Sequence, residues 1–508
     1  MKSFKTTLLL ICLALLAQAH VGSPDIYLDG QAGPYQLFVT IRPPVVIPGI
    51  AELEIRAQSA NVREIRAVPV PFTPDAAKFA PVPDKLKISP QDSQFFTGSL
   101  WIMTPGSWQV RLTVEGKQGV GNLSVPLPSA ALTTKSMQFG LGALLTLFMI
   151  LLAGGLVLIA GASAREAKLP SGVRPDSGQL QRARTAMAVA LITVIGILGL
   201  GRWWWASSEA QYRQNVYKPL RMAATLNHRG LLTLTMTDSG WLQPQDKRSL
   251  HLRPAFSVKT VDDLIPDHDH LMHLYAIRQP GLDVVYHLHP EMTGSGVFQL
   301  SLPDMEPGTY QLYADVVHAN GFPETMIATV QIPPGLPGRP LNGDDASGKA
   351  APWQEASVTA TTFTLPDRYK MEWLRPDKPL RAKEATPFRF RLLDAGGRPA
   401  QDMQFYMGML GHAAFVKTDG TTFAHIHPTG SVAMASFMLA QNQLGKNSPM
   451  DMSGDMPGMN HSAHSMTESL PNEVAFPYGF PSPGRYRIFV QMKHGGTVET
   501  GVFDADVI

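Results

Sequence analysis

Cysteine is almost missing from this 508-residue chain: Cys12 is the only one. It lies in an N-terminal stretch where Lys2 and Lys5 precede an apolar run over residues 8–16, followed by Ala17-Gln18-Ala19. That order reads as a secretory signal peptide over residues 1–19, with a mature start at His20. Ile11 stands where a lipoprotein signal needs a small residue, so Cys12 is not a lipidation site. The mature chain is then expected to carry no thiol, which excludes structural disulfides and thiolate metal ligation. Metal chemistry falls to His, Met and carboxylate. An excess of one charge is missing too. The 43 Lys and Arg face 41 Asp and Glu, with a net charge of +2. Nothing in that balance attracts a nucleic acid.

Long apolar runs are present, and two of them, over residues 138–162 and 185–205, reach the ~20 residues that cross a bilayer. Neither holds an acidic residue or a histidine. The connection, residues 163–184, carries Arg165, Lys168, Arg174, Arg182 and Arg184 against Glu166 and Asp176. Positive loops stay cytoplasmic, so this one is expected inside and both large flanking regions outside, in the periplasm. Trp203-Trp204-Trp205 suits the outer interface of the inner (cytoplasmic) membrane. The one basic residue, Arg202, stands at the end of its span, and spans without mid-membrane charges look like an anchor in the lipid bilayer rather than an ion pathway.

The remaining sequence reads as strands punctuated by Pro and Gly. Residues 35–41, 51–56 and 108–114 alternate in the strand manner, as do 231–236 and 310–314. The expected fold is mainly β: three immunoglobulin-like β-sandwich domains plus a two-helix transmembrane hairpin. The sandwiches are assigned to residues 20–136, 206–334 and 356–508. A Pro/Gly-rich linker spans 335–355.

The last two domains repeat each other on histidines. His273 opens a strand, Pro280-Gly281 turns it, and the chain returns to His287-Leu288-His289-Pro290. His412 opens the second copy, Asp419-Gly420 turns it, and the return reaches His425-Ile426-His427-Pro428. Pro-Gly-Thr-Tyr310 leads to His318, and Pro-Gly-Arg-Tyr486 leads to His494, with the same spacing. Residues i and i+2 of a strand share a face, and a hairpin brings the earlier histidine opposite the pair. Two metal-binding sets are therefore expected, one per domain: His273, His287, His289 and His318, then His412, His425, His427 and His494. Imidazole sets of this kind suit Cu(II), Zn(II) or Ni(II). His268 and His270, beside Asp267 and Asp269, read equally as supporting partners or as solvated loop residues. Asp315 is a further carboxylate whose counterpart is Gln491, so it falls outside the shared pattern.

Methionine favours copper over zinc and nickel. A polar Met/His-rich loop over residues 441–472 holds Met450, Met452, Met456, Met459, His461, His464 and Met466 without the apolar neighbours of a core. Thioethers select Cu(I). Met407 and Met409 share a strand face next to His412 and read equally as soft ligands or core. His20, as a mature N-terminus, offers an amine and an imidazole together, half of a histidine-brace copper site.

The segments Leu271-Met272-His273-Leu274, His287-Leu288-His289-Pro290, Leu312-Tyr313-Ala314-Asp315 with His318, and residues 406–412 with His425-Ile426-His427-Pro428 resemble YtkA-like, heavy-metal-binding periplasmic sandwich domains. The N-terminal domain is more weakly similar to FixH-like or CopC-like sandwiches through Pro105-Gly106-Ser107-Trp108. It departs from the CopC-like pattern in lacking a second histidine. The resemblance implies handling of copper or another heavy metal outside the cytoplasm, for tolerance or for delivery to a copper-dependent membrane enzyme or efflux system. Two rivals stay open: a metal-independent envelope interaction or scaffold module, and a His-ligated metalloenzyme. No carboxylate repeats beside both sets as a general base, so a non-catalytic role leads.

Overall fold

The computed structural model describes residues 25–59, 61–72, 80–170, 172–214, 216–237, 261–444 and 470–508. His20 lies outside them with the expected signal peptide, as do Met450, Met452, Met456, Met459, His461, His464 and Met466. The described chain is mainly β, with six sheets and two long apolar helices. It divides into two compact units: Ala131–Tyr217, and Met1–Ala130 together with Lys218–Ile508.

The helical unit consists of Phe139–Glu166 and Ser177–Gln214. Both helices are long and apolar enough to cross a membrane. The second starts at a reciprocal cap: Asp176 Oδ1 accepts from the Gln179 amide at 2.6 Å, and Gln179 Oε1 accepts from the Asp176 amide at 2.8 Å. Gly161 is the one buried residue of the first helix, and any side chain there would meet Met187.

In the β unit, the N-terminal part holds two sheets of alternating buried and exposed residues. One runs Ile26–Ala32, Tyr35–Arg42, Gly49–Ala57, Phe95–Ile102 and Lys87–Ile88, in that spatial order. The other runs Asp84–Lys85, Val62–Pro71, Gly106–Gly116 and Gly119–Ser129.

The two C-terminal parts each stack a small sheet on a larger one. In the first, His273–Gln279 pairs with both Val284–Leu288 and Gly308–His318. In the second, His412–Lys417 pairs with both Phe423–Ile426 and Gly484–His494. Strand alternation sends Leu274 and Ala276 into the first core, and Ala413 and Phe415 into the second. The opposite faces are also buried. Tyr275, Ile277, Val285 and Tyr313 of one part join Ala414, Val416, Phe423 and Phe489 of the other in a shared apolar cluster. A strand buried on both faces needs no polar alternation, which is why these segments look continuously apolar. The histidines lie on this shared face.

Candidate metal centre

Strand register sets the first positions. Tyr275 is paired with His287 and Leu274 with Leu288, so His273 falls opposite His289 one step beyond the ladder. Ala413 is paired with Ile426, which puts His412 opposite His427 in the same way. Ahead of each hairpin lies a matching two-residue turn. Asp267 and His270 exchange backbone hydrogen bonds of 2.8 and 3.1 Å, and Tyr406 and Met409 exchange bonds of 2.7 and 3.1 Å. The central residues have positive φ: His268 at 49° and Asp269 at 67°, Met407 at 50° and Gly408 at 76°. Asp and Gly tolerate that region, whereas His268 and Met407 sit in it at a cost. His268 and His270 thus correspond to Met407 and Met409.

These elements gather eight imidazoles into one connected cluster. His270 stacks on His289 with ring centres 3.9 Å apart, and His289 lies 4.7 Å from His287 and 5.1 Å from His273. His425 lies 5.4 Å from both His273 and His287, and so joins the copies. It lies 4.6 Å from His427 and 5.4 Å from His412. His268, although in the first copy, reaches His427 at 5.0 Å and His412 at 5.1 Å. Two trios, His273/His287/His289 and His268/His412/His427, keep one ring nitrogen each within 4.8 Å of the others and could hold a metal ion.

Hydrogen bonding fixes several tautomers. His273 Nε2 lies 2.9 Å from the Asp267 carbonyl, which can only accept, so the proton of His273 is on Nε2. Tyr406 donates to the Asp344 carbonyl at 2.9 Å and so presents a lone pair to His287 Nδ1 at 3.1 Å. Gln491 Oε1, from the other copy, lies 2.9 Å from the same nitrogen. The proton of His287 is then on Nδ1. The remaining nitrogens, His273 Nδ1 and His287 Nε2, face each other at 3.1 Å with lone pairs on both. That contact is repulsive unless a cation serves both. Two nitrogens each about 2.0–2.1 Å from one metal, at an angle of about 90–109°, lie about 2.8–3.4 Å apart.

His289 and His427 follow the same plan. His289 holds Asp345 through Nδ1 at 3.3 Å, and His427 holds the Val432 carbonyl through Nδ1 at 3.3 Å. The Nε2 atoms of His268, His270, His289, His425 and His427 are buried without a hydrogen-bond partner, and so are both ring nitrogens of His412. Anchoring one nitrogen and leaving the other bare is how metal-ligating histidines are oriented. Unpaired buried polar atoms otherwise cost roughly 1–3 kcal/mol each.

Burial, followed by the neighbouring imidazoles, pushes His273, His287, His412 and His427 well below the ordinary histidine range. His268 is lowered by burial as well. Burial also lowers His289, against the opposing pull of Asp345. These rings are held neutral, the form that binds metal. A cavity of about 520 Å³ opens beside His270 and His289, with Asp269, Glu291, Asp344 and Asp345 outnumbering the single cation Arg339 on its wall. Its acidic lining suits a cation.

The N-terminal part braces the second hairpin. The Asp29 amide donates to the Thr429 carbonyl at 2.8 Å, and the Ser431 amide donates to the Tyr27 carbonyl at 2.9 Å. Gly430 sits between them with φ of 126°, and a Cβ there would lie 2.0 Å from the Tyr27 carbonyl oxygen. The loop leaving His427 is therefore fixed from outside its own domain.

Six of the eight histidines expected as ligands meet in this cluster: His273, His287, His289, His412, His425 and His427. They meet across the two copies, not as separate sets. His318 and His494 stand elsewhere, which corrects the expectation of four converging imidazoles in each domain. Their strands explain it. His318 shares the face of Tyr310, Leu312, Ala314 and Val316, and His494 that of Tyr486, Ile488, Val490 and Met492, all core residues. His318 instead bonds Asp263 at 2.7 Å and Glu324 at 3.2 Å. Asp315 and Gln491, set aside as unmatched, are equivalent residues on the shared face and act reciprocally. Gln491 reaches His287, and Asp315 Oδ2 lies 3.5 Å from His425 Nδ1. His268 and His270, weighed as loop residues, belong to the cluster. Met407 is half-buried and Met409 fully buried.

A family model described as "Domain of unknown function (DUF8832)" matches residues 227–333 and 362–508, half of the chain, and these include every histidine of the cluster. No curated protein matches. Among solved structures the chain is similar to dimeric latent PorU from Porphyromonas gingivalis, at 8% identity and a TM-score of 0.15, covering 95% of this chain and 34% of that one. It is also similar to Salmonella alpha-2-macroglobulin reacted with methylamine, at 9% identity and a TM-score of 0.19, covering 94% and 24%. The chain thus spans about a third and a quarter of their lengths, and likenesses this low carry no functional weight.

Proposed function

We propose that this chain, which belongs to the family described as Domain of unknown function (DUF8832), is a membrane-anchored periplasmic protein that binds copper at the joint between two duplicated immunoglobulin-like sandwiches. The facing bare nitrogens of His273 and His287, 3.1 Å apart, carry this reading. A fully buried, hydrogen-bond-fixed pair of lone pairs is a poor end state for a metal-free protein and a good one for a ligand pair.

His273, His287 and His289 hold one ion in this reading, and His268, His412 and His427 hold a second, with His425 between them. An all-imidazole set of borderline donors suits Cu(II), Zn(II) and Ni(II). The methionines tilt the choice toward copper. Met407 and Met409 occupy the turn positions that His268 and His270 fill in the other copy, and the Met/His-rich segment over 441–472 supplies soft donors for Cu(I). The bound metal would be stored against toxicity or passed to a copper-dependent membrane enzyme or efflux system.

The anchor reading rests on the two apolar helices and on the basic residues between them. Helices of 28 and 38 residues extend to about 42 and 57 Å at 1.5 Å per residue, more than a hydrocarbon core of about 30 Å. The basic connection belongs in the cytoplasm by the positive-inside rule, leaving the β unit outside.

The test is titration of the detergent-solubilised full chain with Cu(II), and with Cu(I) under reducing conditions. About two ions per chain are expected, with little proton release near neutral pH because burial already holds the ligand rings neutral. Tight binding of two ions that persists in the His287→Ala/His412→Ala variant, which removes one ligand from each trio, would remove the cluster from the account. A chain that binds no copper but retains Zn(II) would keep the site and change the metal.

A further inference from the structure

The duplication carries a second matched group, on the core side of the same sheets. His318 and His494 are equivalent, and Asp263 and Asp402 precede His273 and His412 by the same interval. Glu324 is paired with Val316, two residues before His318, and Glu499 is paired with Met492, two residues before His494. Each copy therefore brings an Asp, a His and a Glu together.

The two groups have diverged. In the first, both nitrogens of His318 are taken, by Asp263 at 2.7 Å and Glu324 at 3.2 Å, and the Leu220 amide holds the other Glu324 oxygen at 2.8 Å. Burial works against charge on His318, but those two carboxylates outweigh it and raise its pKa. A charged imidazolium closed by two carboxylates leaves no ligand position. In the second, His494 Nδ1 is tied to Asp402 Oδ2 at 3.2 Å, and Tyr369 stacks on the ring with centres 4.1 Å apart. His494 is only 4% exposed. Its Nε2 is buried without a hydrogen-bond partner, and lies 3.0 Å from Asp367 Oδ2 without hydrogen-bond alignment. Asp367, His494 and Glu499 keep one ligand atom each within 4.8 Å of the others. Among the described residues no lysine or arginine forms an ion pair with Asp367, Asp402 or Glu499.

We infer that Asp367, His494 and Glu499 form a second kind of metal site, for a single divalent ion that prefers oxygen donors, of the Mn(II) class. Asp402 orients His494 by fixing the proton on Nδ1 and turning Nε2 toward the two carboxylates, the arrangement that supports metal-bound histidines. Two carboxylates and one imidazole are harder donors than the all-imidazole cluster, and Asp367 stands half in solvent, leaving positions for water. The turn supplying Asp367 is held by the Tyr369 amide, which donates to Asp367 Oδ1 at 3.0 Å. The site lies on one copy only, so it does not depend on the joint between the sandwiches or on the copper reading.

Mn(II) is the probe, followed by loss of its free-ion paramagnetic resonance signal on titration into the full chain in detergent. About one Mn(II) per chain is expected, in the wild type and equally in His287→Ala/His412→Ala. Asp367→Asn/Glu499→Gln should lose that ion while keeping the copper stoichiometry of the wild type. Asp367→Asn alone keeps the oxygen that accepts from Tyr369, and serves if the double variant unfolds; about a tenfold weakening is expected. No Mn(II) uptake by the wild type, or uptake unchanged in the Asp367 variants, overturns the assignment. Loss of Mn(II) only in the His287/His412 variant would overturn it too, by moving the ion to the cluster.

Discussion

Replacing His412 by leucine tests whether the cluster is built for a metal or for stability. His412 is fully buried, and neither ring nitrogen has a hydrogen-bond partner. In the metal-free protein those two atoms cost roughly 1–3 kcal/mol each, and an apolar side chain of similar size removes the penalty. Allowing for imperfect packing of leucine against His268 and His427, His412→Leu should stabilise the metal-free chain by about 2 kcal/mol. The loaded protein should respond with the opposite sign. An ion at a thousandfold excess over its dissociation constant contributes about 4.1 kcal/mol, and loss of a ligand that removes most of it outweighs the gain of about 2 kcal/mol. Urea unfolding of the β unit, followed by circular dichroism with chelator and then with metal, reads both. Destabilisation of the metal-free protein, or the same sign under both conditions, refutes the claim that these nitrogens wait for a ligand.

Asp345 orients His289 through Nδ1, so Asp345→Asn should weaken metal binding by about ten- to hundredfold in a chelator competition, with little change in fold. The buried neutral rings also make stability depend on pH. His273, His287, His412 and His427 have lowered pKa values when folded, whereas the unfolded chain takes up protons near the ordinary 6.5. The unfolded state then binds more protons as pH falls, and metal-free stability should drop below about pH 6.5, by about 1.4 kcal/mol per ring at pH 5.5. His318, with its raised pKa, works the other way: its contribution is present at low pH and is lost as pH rises through its folded value. With four rings against one, the urea midpoint should fall from pH 7.5 to 5.5, and a flat profile contradicts the burial argument. For topology, the expected lack of mature thiols makes single cysteines clean reporters. Val173→Cys should resist an impermeant maleimide on spheroplasts while Ser295→Cys reacts, and the reverse pattern would invert the orientation.

The mainly β character and the two apolar helices were legible because they follow from local pattern: alternation between Pro and Gly, and uninterrupted apolar length. The duplicated histidine spacing was legible too, and it located the hairpins. What local pattern does not carry is which sheet face meets which. Val284–Leu288 is buried on both sides and carries apolar residues on each, so little in it tells the outer face from the core face. Two sites in two domains and one joint site read alike in sequence. Strand parity does separate the faces on the later strand. An even interval from Tyr310 puts His318 on that tyrosine's core face, while the odd interval to Asp315 points the other way. The positive φ of His268, which swings its ring into the partner copy, had no sequence signal, because the turn uses His-Asp where Gly is ordinary.

X-ray absorption at the copper edge of the loaded full chain addresses the central claim most directly. The account predicts a nearest shell of imidazole nitrogens at about 2.0 Å, with the outer-shell scattering of several histidine rings, diminished in His273→Ala/His287→Ala. A shell of oxygen or sulfur without ring scattering, or a spectrum indifferent to those two substitutions, would contradict it.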